Sequence, residues 1–276
     1  MAGKSQWEFW IDRGGTFTDV VALSPSGEIS SHKYLSVNPS LYEDAAVFAM
    51  RDIMAVSDNS PFPSDKVRAI KMGTTVATNA LLEREGARTL FVVTEGFADV
   101  LRIGQQHRTD LFALKPTRPE PLYSDVLEVA ERIDAHGHAL KKLDNNKVTN
   151  DVRTAKASGF DSVAIAFVHG YRHQAHESQV AAIAREAGFK QVSISHEVSP
   201  LMKLVPRGDT TVADAYLSPI LRLYVQQVRN ATGGGPLYFM QSNGGLALAT
   251  AVEGKDAVLS GPAGCIFAAA KSAPRE

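Results

Sequence analysis

Between Phe9 and Leu23 the chain reads FWIDRGGTFTDVVAL, an apolar run that enters an aspartate, two glycines and two threonines and leaves through a second apolar run. Two strands about a Gly14-Gly15 turn are expected from this pattern. A phosphate chain needs backbone N–H donors gathered in one concavity, and glycines clear side chains from the approach. Thr16 and Thr18 add hydroxyl donors, and Asp12, ending the first strand, is placed to hold Mg²⁺ directly or through water. No helix follows the glycines and no lysine closes them, so neither a P-loop nor a dinucleotide-binding turn is read here. Bare Gly-Gly would suit a plain hairpin, but the octet DRGGTFTD between two strands favours a phosphate loop over a plain turn.

The rest of the composition sets bounds. The chain has 276 residues, 44% hydrophobic and 21% charged, which suits a globular α/β protein with a sizeable core. A net charge of -1 gives no electrostatic reason to expect nucleic acid or an acidic membrane. No apolar run approaches the roughly 20 residues that span a bilayer. The first ten residues carry no signal-peptide core. The single cysteine, Cys265, rules out an internal disulfide and suits a cytoplasmic location.

Along the chain, strand and helix patterns alternate. NPSLYEDAAVFAMRDIMAV has helical spacing, with Asn38 or Ser40 as cap. VRAIKMGTTVATNALLEREGAR reads as strand, polar turn and short helix, with Gly86 as the stop. TLFVVTEGF and DSVAIAFVHGY are continuous apolar runs, the pattern of strands covered on both faces. KPTRPEPLYSD is expected to be extended, VLEVAERIDAHGHALKKLD to be a hairpin about Gly137, and KQVSISHEV to be a strand. TTVADAYLSPILRLYVQQVRNA is a long helix kinked or bounded at Pro219. The expected fold is therefore α/β, a mixed sheet with flanking helices. A first domain over 1–206 and the beginning of a second over 207–276 are expected from the change of character near Pro206.

The octet resembles the phosphate hairpin of the actin, Hsp70 and sugar kinase superfamily. DRGGTFTDVVA, LSVNPSLYEDA, MGTTVATNALLEREGAR, EGFADVLRIGQQHRTDLFAL, SVAIAFVHGYRHQAHE, SHEVSPLMKLVPRGDTTVADAYLSPIL, FMQSNGGL and LSGPAG together resemble the N-terminal part of the hydantoinase/oxoprolinase family, in family order through nearly the whole chain. Arg13 is the choice of its oxoprolinase branch. The resemblance implies an actin-like ATPase fold, ATP and Mg²⁺ as cofactors, and ATP-driven opening of a cyclic amide, 5-oxo-L-proline to L-glutamate. A relaxed lactam is a poor electrophile, and phosphorylating its oxygen supplies a leaving group, so an ATP loop is chemically sensible. Related members act on hydantoins or carboxylate ketones.

On this reading Asp12, Gly14, Gly15, Thr16 and Thr18 serve the metal and phosphates, and the catalytic residues are unassigned. Thr74, Thr75 and Asn79 either cap a helix or contact substrate or nucleotide. Arg207 either pairs with Asp209 or faces an anionic substrate. The family's second glycine-threonine loop is not found before Glu276, so the expected partners are the C-terminal half or a second subunit, with a homodimer as a further option. A non-catalytic chain needing a partner is the rival reading. His169, His173 and His176 lie close enough to raise a metal site, but the strand-to-helix junction favours a part in starting the helix. Gln241–Gly245 is a polar turn, Cys265 is expected to be apolar filler, and Ala130 stands where the family usually has an acid.

Overall fold

The computed structural model describes residues 6–57, 59–105, 112, 119–261, 263, 264 and 266. Cys265 and the first four residues of the KPTRPEPLYSD connector, 115–118, lie outside the described residues. In chain order come β1 (Trp7–Arg13), β2 (Phe17–Leu23), β3 (Ile29–Leu35), α1 (Ala45–Ile53), β4 (Val67–Thr74) and α2 (Val76–Leu82). Then follow β5 (Thr89–Thr94), α3 (Val100–Ile103), β6 (Asp125–Val129), β7 (Arg132–Ile133), β8 (Ala139–Lys141), α4 (Asn145–Ala157), β9 (Ser162–Ala166) and α5 (Ala175–Glu186). The chain continues through β10 (Gln191–Ile194), α6 (Ser195–Val198), α7 (Leu204–Ala231), β11 (Leu237–Met240), β12 (Leu246–Leu248) and α8 (Gly254–Ala257). Among the described residues no helix is long and apolar enough to cross a membrane.

The chain forms two compact units, one of residues 1–83 with 220–276 and the other of 84–219. One continuous helix, α7, runs through Pro206 and Arg207, where the sequence changes character, and past Pro219.

The first unit holds a six-stranded mixed sheet in the order β12-β11-β4-β1-β2-β3. β11, β4 and β1 run parallel, β2 returns antiparallel beside β1, and β3 pairs antiparallel with β2. Alternation puts Phe9, Ile11, Val20 and Ala22 on the buried side, the side α1 packs against with Ala45, Ala46, Ala49 and Met50. α1 starts later than its periodicity suggests. Its cap is Asp44, whose carboxylate accepts from the N–H groups of Ala46 and Val47 at 2.9 and 3.0 Å. Asn38 and Ser40 instead close a turn of their own, with Ser40 Oγ donating to Asn38 Oδ1 and Leu41 N–H to the Asn38 carbonyl.

The second unit carries a four-stranded parallel sheet in the order β10-β9-β5-β6. Every residue of β5 and β9 is buried, as their unbroken apolar runs require. One face packs Leu90, Val92, Val163 and Ile165 against Val148 and Val152 of α4 and Val180, Ala181 and Ala184 of α5. The other sets Phe91, Val93, Ala164 and Ala166 against Val212 and Ala215 of α7. The expected hairpin about Gly137 is shorter than its alternation suggests. Val126–Val129 joins the sheet beside β5, and only β7 and β8 turn about Gly137. The KQVSISHEV strand stops at Ile194 and its second half turns into α6.

Gly86 does not end α2. That helix closes at Glu83, and the residue at positive φ is Arg84, at 60°. Gly86 is small for another reason, since a Cβ there would lie 2.0 Å from the Tyr216 ring. We expect Gly86→Ala to displace Tyr216 and to cost about 1–3 kcal/mol, read as a lower denaturation midpoint.

A buried polar network crosses the carboxyl ends of this sheet. Arg207 is fully buried, and its Nη2 donates to the carbonyls of Phe167 and Val168 at 2.7 and 3.0 Å. Its Nη1 meets Ser195 Oγ at 2.5 Å and Glu177 Oε1 at 3.3 Å. The carboxylate that answers Arg207 is thus Glu177, not Asp209. The guanidinium is enclosed, so it is not presented to an anionic substrate. The three histidines do not converge on one point. His169 Nδ1 meets the Ile133 carbonyl, His173 Nε2 that of Ala135, and His176 Nδ1 the buried Glu131, so all three fasten the segment around β7. Beside Ala130, Glu131 supplies a buried acid, which also accepts from Thr94 Oγ1 at 2.5 Å.

Candidate nucleotide site

The first unit gathers several chain segments at the carboxyl ends of its parallel strands β1, β4 and β11. The β1–β2 turn is closed by Gly14 N–H donating to the Phe17 carbonyl at 3.0 Å. A Cβ on Gly14 would stand 2.8 Å from that same oxygen, so the turn demands glycine. Among the described residues the amides of Gly15 and Thr16 meet no acceptor, and both residues are exposed. Two open backbone donors at a turn without side-chain cover are what an anion requires.

Asp12 ends β1 on the face opposite Ile11 and Arg13, directly across from Asp19 of β2. Its pKa is raised, first by burial of the carboxyl among its neighbours and then by the Asp19 charge. Lys33 answers Asp19 at 3.0 Å. Gly73 makes room for the Asp12 carboxyl, since a Cβ there would lie 3.1 Å from it, while Gly261 passes nearby at an ordinary contact distance of 3.9 Å. Neither glycine is singled out by residue chemistry. The signal lies in their places, Gly73 in MGTT near the end of β4 and Gly261 in SGPAG.

The β4–α2 turn and the stretch before Gly261 are tied together. Ser260 Oγ donates to the Thr74 carbonyl at 2.9 Å, and Thr78 Oγ1 donates to the Val258 carbonyl. The Gln241–Gly245 turn joins β11 to β12, its Gln241 N–H donating to the Gly245 carbonyl at 2.8 Å. From that turn Ser242 Oγ reaches the Asp256 carbonyl and accepts from Leu259 N–H.

The site residues expected from the sequence divide accordingly. Asp12, Gly14, Gly15 and Thr16 share the turn. Asn79 joins them, its amide nitrogen 3.4 Å from where a Gly15 Cβ would sit. Thr18 does not face the turn. It follows the buried parity of Val20 and Ala22, is fully buried, and its hydroxyl pairs with Ser36 Oγ at 2.9 Å. Thr74 is also buried, and its hydroxyl accepts from Val76 N–H at 3.2 Å at the start of α2. Thr75 turns its hydroxyl to the Arg13 carbonyl at 3.3 Å. We expect Thr18→Val to cost about 1 kcal/mol of stability through the stranded Ser36 hydroxyl, with nucleotide affinity unchanged in a direct titration.

The carboxylate and amides fit Mg²⁺ and a phosphate chain: a hard oxygen ligand stands beside two open N–H donors and the Asn79 amide. Among the described residues no cluster of three or more metal-ligating side chains occurs.

The hydantoinase/oxoprolinase N-terminal region matches residues 8–188, and the hydantoinase/oxoprolinase region matches 207–276. The chain is 40% identical to 5-oxoprolinase 1 of Arabidopsis thaliana over 292 aligned positions, covering 95% of this chain and 23% of that protein. It therefore spans about a quarter of the length of such relatives. Among solved structures, the ATP-dependent caprolactamase of Pseudomonas jessenii superposes with a TM-score of 0.80 at 28% identity, over 97% of this chain and 41% of that one. Nucleotide-free acetone carboxylase superposes with a TM-score of 0.78 at 22% identity, over 95% of this chain and 40% of that one. The mixed α/β architecture is that of the N-terminal half of an actin-like ATPase fold.

Proposed function

The chain belongs to the hydantoinase/oxoprolinase family, and on that footing we propose that it is the ATP-binding N-terminal part of a 5-oxoprolinase. The reaction is ATP-dependent hydrolysis of 5-oxo-L-proline to L-glutamate, a step of glutathione metabolism, in the cytoplasm. The supporting observation is the open pair of amides at Gly15 and Thr16 beside the Asp12 carboxylate.

In this reading Gly15 and Thr16 hold phosphate oxygens, Asn79 adds a donor, and Asp12 holds Mg²⁺ directly or through water. Mg²⁺ would neutralise charge on the transferred phosphoryl group, and the chain's own residues orient the phosphates. Thr75 stays as a candidate contact through its half-buried position at the start of α2. The lactam-opening groups belong to a C-terminal half or a second subunit, and the chain by itself turns nothing over. Association with a second copy is part of the same proposal.

The test joins this chain to its C-terminal half, or mixes it with a candidate second subunit, and measures glutamate released from 5-oxo-L-proline with MgATP. Release that needs both ATP and the added part is the expected outcome. Turnover of a hydantoin or carboxylation of a ketone, with 5-oxo-L-proline inert, would move the chain to another branch of the family. Failure of every substrate by a folded complex would overturn the assignment.

A further inference from the structure

Behind the phosphate hairpin, on the face of β1 away from Asp12, the first unit holds a cavity of about 610 Å³. Arg13, Glu43, Asp44, Arg51, Tyr224 and Gln227 are its polar lining, with apolar side chains such as those of Val47 and Phe48 beside them. We propose that this cavity is a second ligand site, and that it takes a small carboxylate of amino-acid size.

The hydrogen-bond inventory carries the argument. Tyr224 is 7% exposed, and its hydroxyl lies near the Asp44 carboxylate without forming a well-aligned hydrogen bond among the described residues. The Arg13 Nε is likewise buried without a hydrogen bond, although Asp44 Oδ2 lies 3.5 Å away. Asp44 cannot serve both donors well, because its Oδ1 is already spent on the amides of Ala46 and Val47. Arg51 gives Nη1 to the carbonyls of Ser57 and Ser60, and among the described residues no carboxylate pairs with it. Two buried donors and a guanidinium that meets only carbonyls among the described residues thus border one space, beside the N-terminus of α1, whose dipole also favours negative charge. An acceptor carrying negative charge is the complement, and a planar carboxylate suits guanidinium geometry.

The floor is rigid. The Arg13 guanidinium lies over the Tyr224 ring, 4.9 Å from its centroid, and Tyr224 packs edge-on against Phe239 at 6.3 Å. The volume exceeds what one or two bridging waters need and falls in the range of small-molecule sites. Gln227 brings a side-chain amide, which recognises either a donor or an acceptor on the rest of the ligand. Since Arg13 directly precedes Gly14, an occupant touches the residue that leads into the phosphate turn.

The experiment titrates the chain with L-glutamate and glutarate, with uncharged glutaramide and inorganic phosphate as comparisons, by calorimetry and ligand-observed NMR. We expect saturable binding of both carboxylates, with glutaramide and phosphate at least tenfold weaker. Tyr224→Phe keeps the ring under Arg13 and removes only the hydroxyl. It should weaken carboxylate binding about tenfold, the scale of one hydrogen bond to a charged group, and a thermal melt verifies that the variant is folded. Arg51→Gln should weaken it as well. Asp12→Asn should leave it unchanged, so this site and the nucleotide reading fail or stand separately. No binding, glutaramide or phosphate binding as tightly as the carboxylates, or carboxylate binding indifferent to Tyr224→Phe would each overturn the proposal.

Discussion

Arg207→Met should destabilise the second unit by about 3–5 kcal/mol, the scale for removing one partner of a buried ion pair. The methionine fills much of the volume but leaves Glu177, which is fully buried, with its negative charge set only against neutral donors and His196. The Phe167 and Val168 carbonyls lose their donor in the same step. Domain stability is typically about 5–15 kcal/mol, so the loss is a large part of the total. Urea denaturation followed by hydrogen exchange at β5 and β9 measures it. A midpoint within experimental error of the parent would show that Arg207 is not the counter-charge of this core. The double variant Arg207→Met with Glu177→Gln should recover part of the loss, because the uncompensated charge is then gone.

Asp12→Asn should act in opposite directions on stability and on ligand affinity. The Asp12 carboxyl has a raised pKa in the folded chain, so ionising it costs stability. That cost builds as pH rises above the unfolded value of about 4 and is complete above the raised folded value. At neutral pH the asparagine variant should therefore melt no lower than the parent, and the difference should shrink as pH falls toward the unfolded value. Magnesium-dependent ATP binding should meanwhile fall about tenfold or more, for want of a charge-assisted ligand. Paired melts and nucleotide titrations across pH examine both signs. A variant that loses stability at neutral pH, or keeps full magnesium-dependent affinity, would remove Asp12 from its assigned role.

The octet DRGGTFTD was legible because a turn without side chains needs glycine in the sequence itself, and two strands must flank it. The unbroken apolar runs of β5 and β9 were legible for a similar reason, since burial on both faces leaves no room for polar residues. Helix limits were less so. Asn38, Ser40 and Asp44 are all competent caps, and only the packing of Ala45, Ala46 and Ala49 on the sheet decides that Asp44 is used.

Side-chain roles that depend on distant partners stayed hidden. Thr16 and Thr18 are the same residue type two positions apart, yet Thr16 is exposed and Thr18 is buried on Ser36. Strand parity would leave both on one face, but β2 begins only at Phe17, so Thr16 belongs to the turn and escapes the alternation. Arg207 could not be told from a substrate-binding arginine, because Glu177 lies 30 residues away and meets it only through the folded chain. Local backbone needs are written in neighbouring residues and survive as patterns, whereas charge compensation is a property of three-dimensional proximity. The sequence therefore carries the glycine turn and the layered α/β plan. The burial of Thr18, Thr74 and Arg207, the room that Gly73 leaves for Asp12, and the cavity on the other face of β1 exist only once the strands are paired.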